Sequence, residues 1–265
     1  MNLHRRARPL LGTFVEIACR GDAARCLPAI EAAFAAIARV HSLMSPHEAG
    51  SDLSRLNERA HLEAVRVDGQ TCQVLQAALA LHRESSGAFD VAAGSGGTSA
   101  DIRLLPRRRV RYARPMRVDL GGIAKGYAVD RAIAELASRG IAHAIVNAGG
   151  DLRVLGDDAQ PIHLRDPGAP ATLHPALTLA GGALATSAGY FMRAIVDPAT
   201  GKAGGGRDSA SVIAPTAMLA DALAKVVLLR GPLSGSLLER HNAHALVLRS
   251  VRGALRARWL PRVPA

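Results

Sequence analysis

The sequence predicts an α+β fold, with mixed sheets and flanking helices in one domain over residues 1–265. Helical and strand-like stretches follow one another without the strict alternation of a doubly wound sheet. Short apolar runs break at paired glycines, which marks turns between strands and helices. With 265 residues, 49% of them hydrophobic, and neither a solenoid-period repeat nor a dividing linker, the chain can bury one full core.

The first expected strand spans residues 10–18, dense in β-branched and aromatic residues, with Gly12 as a candidate bulge. Over residues 23–43 the period changes. Leu27, Ile30, Ala33, Phe34, Ile37, Val40 and Leu43 recur at three and four, which predicts an amphipathic helix with Pro28 in its first turn. Asp52 is expected to cap a short helix to Leu56, and a further helix spans residues 68–84 and stops at Gly87. Residues 92–100, rich in Gly and Ser, read as a loop.

Residues 116–120 read as a strand tip, Gly121-Gly122 as a turn and residues 124–138 as a helix. Residues 141–146 form a strand, Asn147 to Asp151 a second glycine turn, and residues 152–155 resume the sheet. Strands near Leu177, Leu184, Ile195, Ala245 and Leu255, and a helix over residues 216–229, complete the expectation.

Four segments can carry chemistry. In Asp119-Leu120-Gly121-Gly122-Ile123-Ala124-Lys125-Gly126 the glycines admit close backbone approach and the helix start offers free N–H groups, a setting for phosphate to which Asp119 and Lys125 add polar contacts. Taken alone the turn is equally an ordinary strand-to-helix connection, since it matches neither GxGxxG nor the P-loop. Asn147-Ala148-Gly149-Gly150-Asp151 places polar groups around a turn, and Asp197-Pro198-Ala199-Thr200-Gly201 reads as a structural β-turn. Asp221 and Lys225 stand four apart on one helix face, as a surface ion pair or with Asp221 as a hard-cation ligand.

The composition excludes other classes. A net charge of +11 suits polyanions, yet the densest basic cluster, Arg103 to Arg114, is interrupted by Leu105, Pro106, Val110 and Tyr112 and reads as a solvated face. Aromatics make up only 3% of the chain, which leaves few platforms for stacking bases, so no nucleic-acid partner is expected. Cys19, Cys26 and Cys72 lack CxxC spacing and read as buried free thiols. His241 and His244 lack zinc-ligand company, and no GxSxG elbow appears. The N-terminal segment lacks signal-peptide anatomy, and no stretch reaches the ~20 uninterrupted apolar residues of a membrane span, so a cytoplasmic location is expected.

Read together and in order, the segments LLGTFVEI, SDLSRLN, GAFDV, VDLGGIAKGYAVDRA, NAGGDLRV, ATSAGY, IVDPATG and APTAMLADALA resemble the FAD:protein FMN transferase (ApbE-like) family over nearly the whole chain. The resemblance implies an enzyme that binds FAD and, with Mg²⁺, transfers FMN to a Ser or Thr hydroxyl of an acceptor flavoprotein, releasing AMP. A flavin carrier without turnover and an FAD pyrophosphatase are the alternatives. By motif position, Ala88, Phe89, Asp90, Asp119, Lys125 and Ile195 would contact FAD, Gly122, Asp221 and Ala224 would hold the metal, and Asp221 would be catalytic. Four departures stand out: Lys225 replaces a metal-binding Thr, Ala194 a common His, Leu11 a first-strand Met, and AAGSGG an apolar stretch after GAFDV. Lys225 offers no metal-ligand oxygen, and without the His a general base for the acceptor hydroxyl is missing.

Overall fold

The computed structural model describes residues 2–189, 195–201, 203–204, 208–251 and 254–261. In chain order the strands are β1 (Asn2–Leu10), β2 (Thr13–Gly21), β3 (Val65–Arg66), β4 (Ile102–Leu105), β5 (Arg109–Tyr112), β6 (Ala144–Ala148), β7 (Asp151–Leu155), β8 (Gln160–Arg165), β9 (Leu173–Leu179), β10 (Ala183–Ala188), β11 (Ile195–Val196), β12 (Ala203–Gly204), β13 (Asp208–Ala214), β14 (His244–Val251) and β15 (Ala254–Leu260). The helices are α1 (Ala23–Met44), α2 (Asp52–Arg59), α3 (Gly69–Glu84), α4 (Ala124–Ser138), α5 (Ala217–Arg230) and α6 (Gly235–Arg240).

An antiparallel sheet in the order β1-β2-β6-β7-β10-β13-β14-β15 forms the frame. Successive strand residues point to opposite faces, and this sheet uses both. Val15, Ile17, Cys19, Val146, Ala185, Ala210, Val212 and Ala245 join the large core that also takes in the helices. Leu152, Val154, Leu184, Leu246 and Leu248 point the other way, where Ile162, Leu164 and Leu179 of the β8–β9 hairpin cover them. Several residues on the helix-facing side are alanines, which lets α4 and α5 lie close to the sheet. Helix α1 is long and apolar enough by composition to cross a bilayer, but here Ile30, Phe34, Ile37 and Val40 are buried in the core. The small β3-β5-β4 sheet carries the arginine cluster on an exposed hairpin.

The predicted α+β class holds, and α1, α3, α4 and α5 lie within about a residue of their expected bounds. Several local expectations are corrected. Gly12 forms no bulge: Leu11 and Gly12 have φ of 55° and 70° and make the two-residue turn joining β1 to β2. Strand β1 escaped the sequence reading because its arginine-rich residues are mostly exposed at a sheet edge and show no apolar alternation. Pro28 lies inside α1, which begins earlier, at the Asp22 cap. Ser51, not Asp52, caps α2; the Asp52 carboxylate is buried and accepts from Asp68 N and Thr71 Oγ1 at 2.7 Å each. Residues 116–120 are not a strand. The Asn57 side chain takes the place of a neighbouring strand, accepting from Val118 N at 2.7 Å and donating to its carbonyl at 3.0 Å. Cys19 and Cys26 are buried free thiols as expected, whereas Cys72 is only half-buried.

Candidate functional site

The glycine turn begins where Asp119 N donates to the Val91 carbonyl at 2.8 Å. Asp119 Oδ1 then accepts from Gly121 N at 2.7 Å, which closes the turn and aims the chain into α4. The Ile123 side chain makes no cap bond to α4; Ala124 N donates to the Leu120 carbonyl at 2.8 Å, and Gly126 N donates to a carboxylate of α5, Asp221 Oδ2, at 3.1 Å. A Cβ added at Gly122 would come within 3.6 Å of both Phe89 Cε2 and Lys225 Cε, so glycine keeps the passage between these side chains wide. Beside this turn lies a cavity of about 220 Å³ lined by Ala88, Phe89, Asp90, Asp119, Ile195 and Lys225, among others. A second cavity, of about 350 Å³, adjoins it across the turn, sharing Asp119 and reaching Lys125, Leu11 and His41.

Most residues singled out from the sequence therefore meet in one place. Ala88 and Phe89 arrive on the turn after α3, where Ser85 Oγ accepts from Phe89 N at 2.9 Å and the Phe89 carbonyl lies 3.0 Å from His82 Nδ1. Asp90 lines the cavity, but its Oδ1 is occupied in bracing the following loop, accepting from Ala92 N, Ser99 N and Ser99 Oγ at 2.8–2.9 Å. Ile195 lies on the wall with Val196 and Pro198. That wall is tied to α5, because both Asp197 oxygens accept from Arg230 at 3.1 Å. The Arg230 bonds hold the Asp197 carboxyl below its ordinary value. Ala224 is buried within α5 and is not among the cavity's lining residues. Ala194 lies outside the described residues.

Asp221 lies on α5 behind the cavity-lining Lys225, and contacts the sequence did not reveal hold α5 there. Asp130 of α4 accepts from Ala217 N and Met218 N at 2.9 Å each and pairs with Arg153 at 2.6 Å, which fastens the start of α5 to α4 and β7. Asp130 carried little signal in the sequence, because Arg131 and Glu135 stand beside it on the same helix. Asp221 is wholly buried. Its Oδ2 accepts from Gly126 N at 3.1 Å, and its Oδ1 is bonded by the Lys225 ammonium. Lys125 pairs with the buried Asp151, the second contact missed from sequence. Burial first, and then the Asp221 charge, push the Asp151 carboxyl up to about 6, against the pull of Lys125 and Lys225. Burial alone would lower the Lys125 pKa, but the Asp221 and Asp151 carboxylates outweigh it and raise it. Two carboxylates and two ammonium groups thus compensate one another beneath the cavity.

This arrangement does not fit a divalent cation at Asp221. Both carboxylate oxygens have partners, and the residue four positions on contributes an ammonium in place of an oxygen donor. A doubly charged ion ~4 Å from that ammonium would be repelled by about 8 kcal/mol at an effective dielectric constant of ~20.

The ApbE family pattern matches residues 11–99 and 97–247. The chain belongs to the ApbE family. The FAD:protein FMN transferase of Treponema pallidum (strain Nichols) is 28% identical over 85% of this chain and 78% of its own length. The FAD:protein FMN transferase of Rhodobacter capsulatus is 37% identical over 46% of this chain. That alignment spans only 26% of the Rhodobacter protein. The crystal structure of the ApbE protein from Thermotoga maritima superposes with a TM-score of 0.84 at 25% identity, covering 96% of both chains. The ApbE fold therefore extends over nearly the whole chain.

Proposed function

We propose that this ApbE-family chain is an FAD:protein FMN transferase. The observation that carries the reading is the convergence of Asp119 and Gly122 of the glycine turn and Lys225 on a cavity walled by Phe89 and Ile195. An ammonium beside a glycine turn that admits close backbone approach favours a pyrophosphate, while the apolar walls favour a flat ring system. Ala88, Phe89, Asp90, Asp119, Lys125 and Ile195 are the proposed FAD contacts, and the names of the Treponema and Rhodobacter relatives agree with that ligand.

The acceptor is a flavoprotein presenting a Ser or Thr hydroxyl. Its oxygen attacks the FMN-side phosphorus, a new phosphoester bond forms, the bond to the AMP phosphate breaks, and the hydroxyl proton leaves to solvent or a base. In-line displacement of this kind rests on positioning and on charge beside the phosphate oxygens rather than on covalent help from the protein. Because the residues at Asp221 do not fit Mg²⁺, no step is assigned to a metal. Asp221 instead holds Lys225 toward the cavity and braces the start of α4 through Gly126.

The test is incubation of the purified protein with FAD and a candidate acceptor, following AMP by chromatography and flavin attachment by intact mass. AMP release that is lost in Asp221→Ala is the expected result. The closed ion pair at Asp221 also favours a second reading, a flavin-binding protein without turnover, in which FAD binds and stays intact.

A further inference from the structure

We infer that the Lys225 ammonium is a resident cation standing where a divalent ion would otherwise serve, so that this chain binds the dinucleotide pyrophosphate without metal. The inference rests on the reading of the cavity as an FAD site, and it makes Lys225 a charge-supplying residue of that site.

Three observations carry it. Asp221 is fully buried and has no oxygen left over: Oδ2 accepts from Gly126 N at 3.1 Å and Oδ1 is bonded by Lys225. The Lys225 side chain is itself 12% exposed, and that residual exposure opens onto the cavity, where Lys225 is a lining residue with Asp119 and Gly122. The nearby carboxylate, Asp151, has its own ammonium in Lys125, so the two buried acids are already balanced. Charge compensation that a metal would bring from solvent is thus built into the chain, one helical turn from the carboxylate it neutralises. A protonated amine also keeps donors to spare: Nζ carries three, of which Asp221 takes one, leaving others to meet phosphate oxygens. Lys225 acts as a fixed charge throughout and forms no bond to phosphorus.

The experiment uses the full chain, with Mn²⁺ as a paramagnetic probe of metal binding and FAD as the ligand. Mn²⁺ is titrated into the wild type, Asp221→Asn and Lys225→Thr and followed by electron paramagnetic resonance. FAD affinity is measured by calorimetry in EDTA and in excess Mg²⁺. The wild type is expected to bind no Mn²⁺ in an Asp221-dependent way, and its FAD affinity is expected to agree within about 2-fold between the two conditions. Lys225→Thr frees the carboxylate and supplies a hydroxyl, so it is expected to gain Mn²⁺ binding. Its FAD affinity should fall at least about 10-fold in EDTA and recover with Mg²⁺. Wild-type Mn²⁺ binding that disappears in Asp221→Asn, or a wild-type FAD affinity that collapses in EDTA, would overturn the inference while leaving the flavin reading intact. Failure of FAD to bind under every condition overturns the flavin reading itself, and the Mn²⁺ titration still decides whether Asp221 is closed to metal. Should Lys225→Thr not fold, the wild-type titrations decide alone.

Discussion

Gly126 lies in the first turn of α4 where that helix crosses α5, and a Cβ built there would sit 2.1 Å from the Ala217 carbonyl oxygen and 2.7 Å from Met218 N. Both obstacles are backbone and cannot rotate aside. Alanine ordinarily gains ~1 kcal/mol over glycine inside a helix, and overpacking a tight site costs ~1–3 kcal/mol or more. We therefore expect Gly126→Ala to destabilise the protein by about 2 kcal/mol, read as a lowered urea midpoint; a raised midpoint would contradict the close crossing. The thiols differ among themselves in the same local way. Burial first, with Cys26 adding, pushes the Cys19 thiol up to about 12, which leaves little thiolate at pH 8. Ellman's reagent should titrate no more than the half-buried Cys72 in the native protein and all three cysteines in denaturant. Rapid native reaction at two or more sites would show that the Cys19–Cys26 region is open.

The Asp68 cap shows how much an element owes to one side chain. Asp68 Oδ1 accepts from Gln70 N at 2.9 Å at the start of α3, and Oδ2 meets Arg39 of α1 at 2.9 Å. These contacts, the Gln70 N–H first, hold the Asp68 carboxyl below its ordinary value. A carboxyl depressed in the folded state stabilises fully above its unfolded value of ~3.9, and that contribution is lost as pH falls through the folded value. Asp68→Ala should thus cost about 1 kcal/mol at pH 7, with the gap to the wild type closing below about pH 4. Urea denaturation at pH 7 and pH 3 checks this, and a gap of equal size at both values would rule it out. The helices were legible because apolar residues at three and four mark a buried stripe whatever the stripe faces. Strand β13, read as nothing from the sequence, is Ser- and Ala-rich because α5 lies on it, and small residues leave no hydrophobic alternation to see.

At the scale of the whole molecule the sheet is covered on both faces, by helices on one and by the β8–β9 hairpin on the other. An isolated two-stranded hairpin is marginal in water, so this one depends on the sheet for its stability, and the smaller apolar cluster should melt with the larger. Leu164→Ala, which removes a side chain that is 5% exposed in that cluster, is expected to cost about 2–4 kcal/mol in a single cooperative urea transition. A separate early transition would show the hairpin melting by itself. By itself the sequence determined the long helices α1, α3, α4 and α5, the glycine turns and the ordered motifs of the ApbE family, since these rest on local spacing and backbone freedom, whereas the short α6 went unread. It also placed Asp221 and Lys225 on one helix face, because four residues make about one turn. Whether that pair was a surface contact or a metal site with a stray lysine, only the tertiary structure decided. The difference is burial: the same two side chains in water would be screened and free to part, whereas under α4 and the sheet Asp221 has no solvent to turn to and keeps its lysine. Lys125 and Asp151, separated by a helix and a strand, were brought together by the same packing.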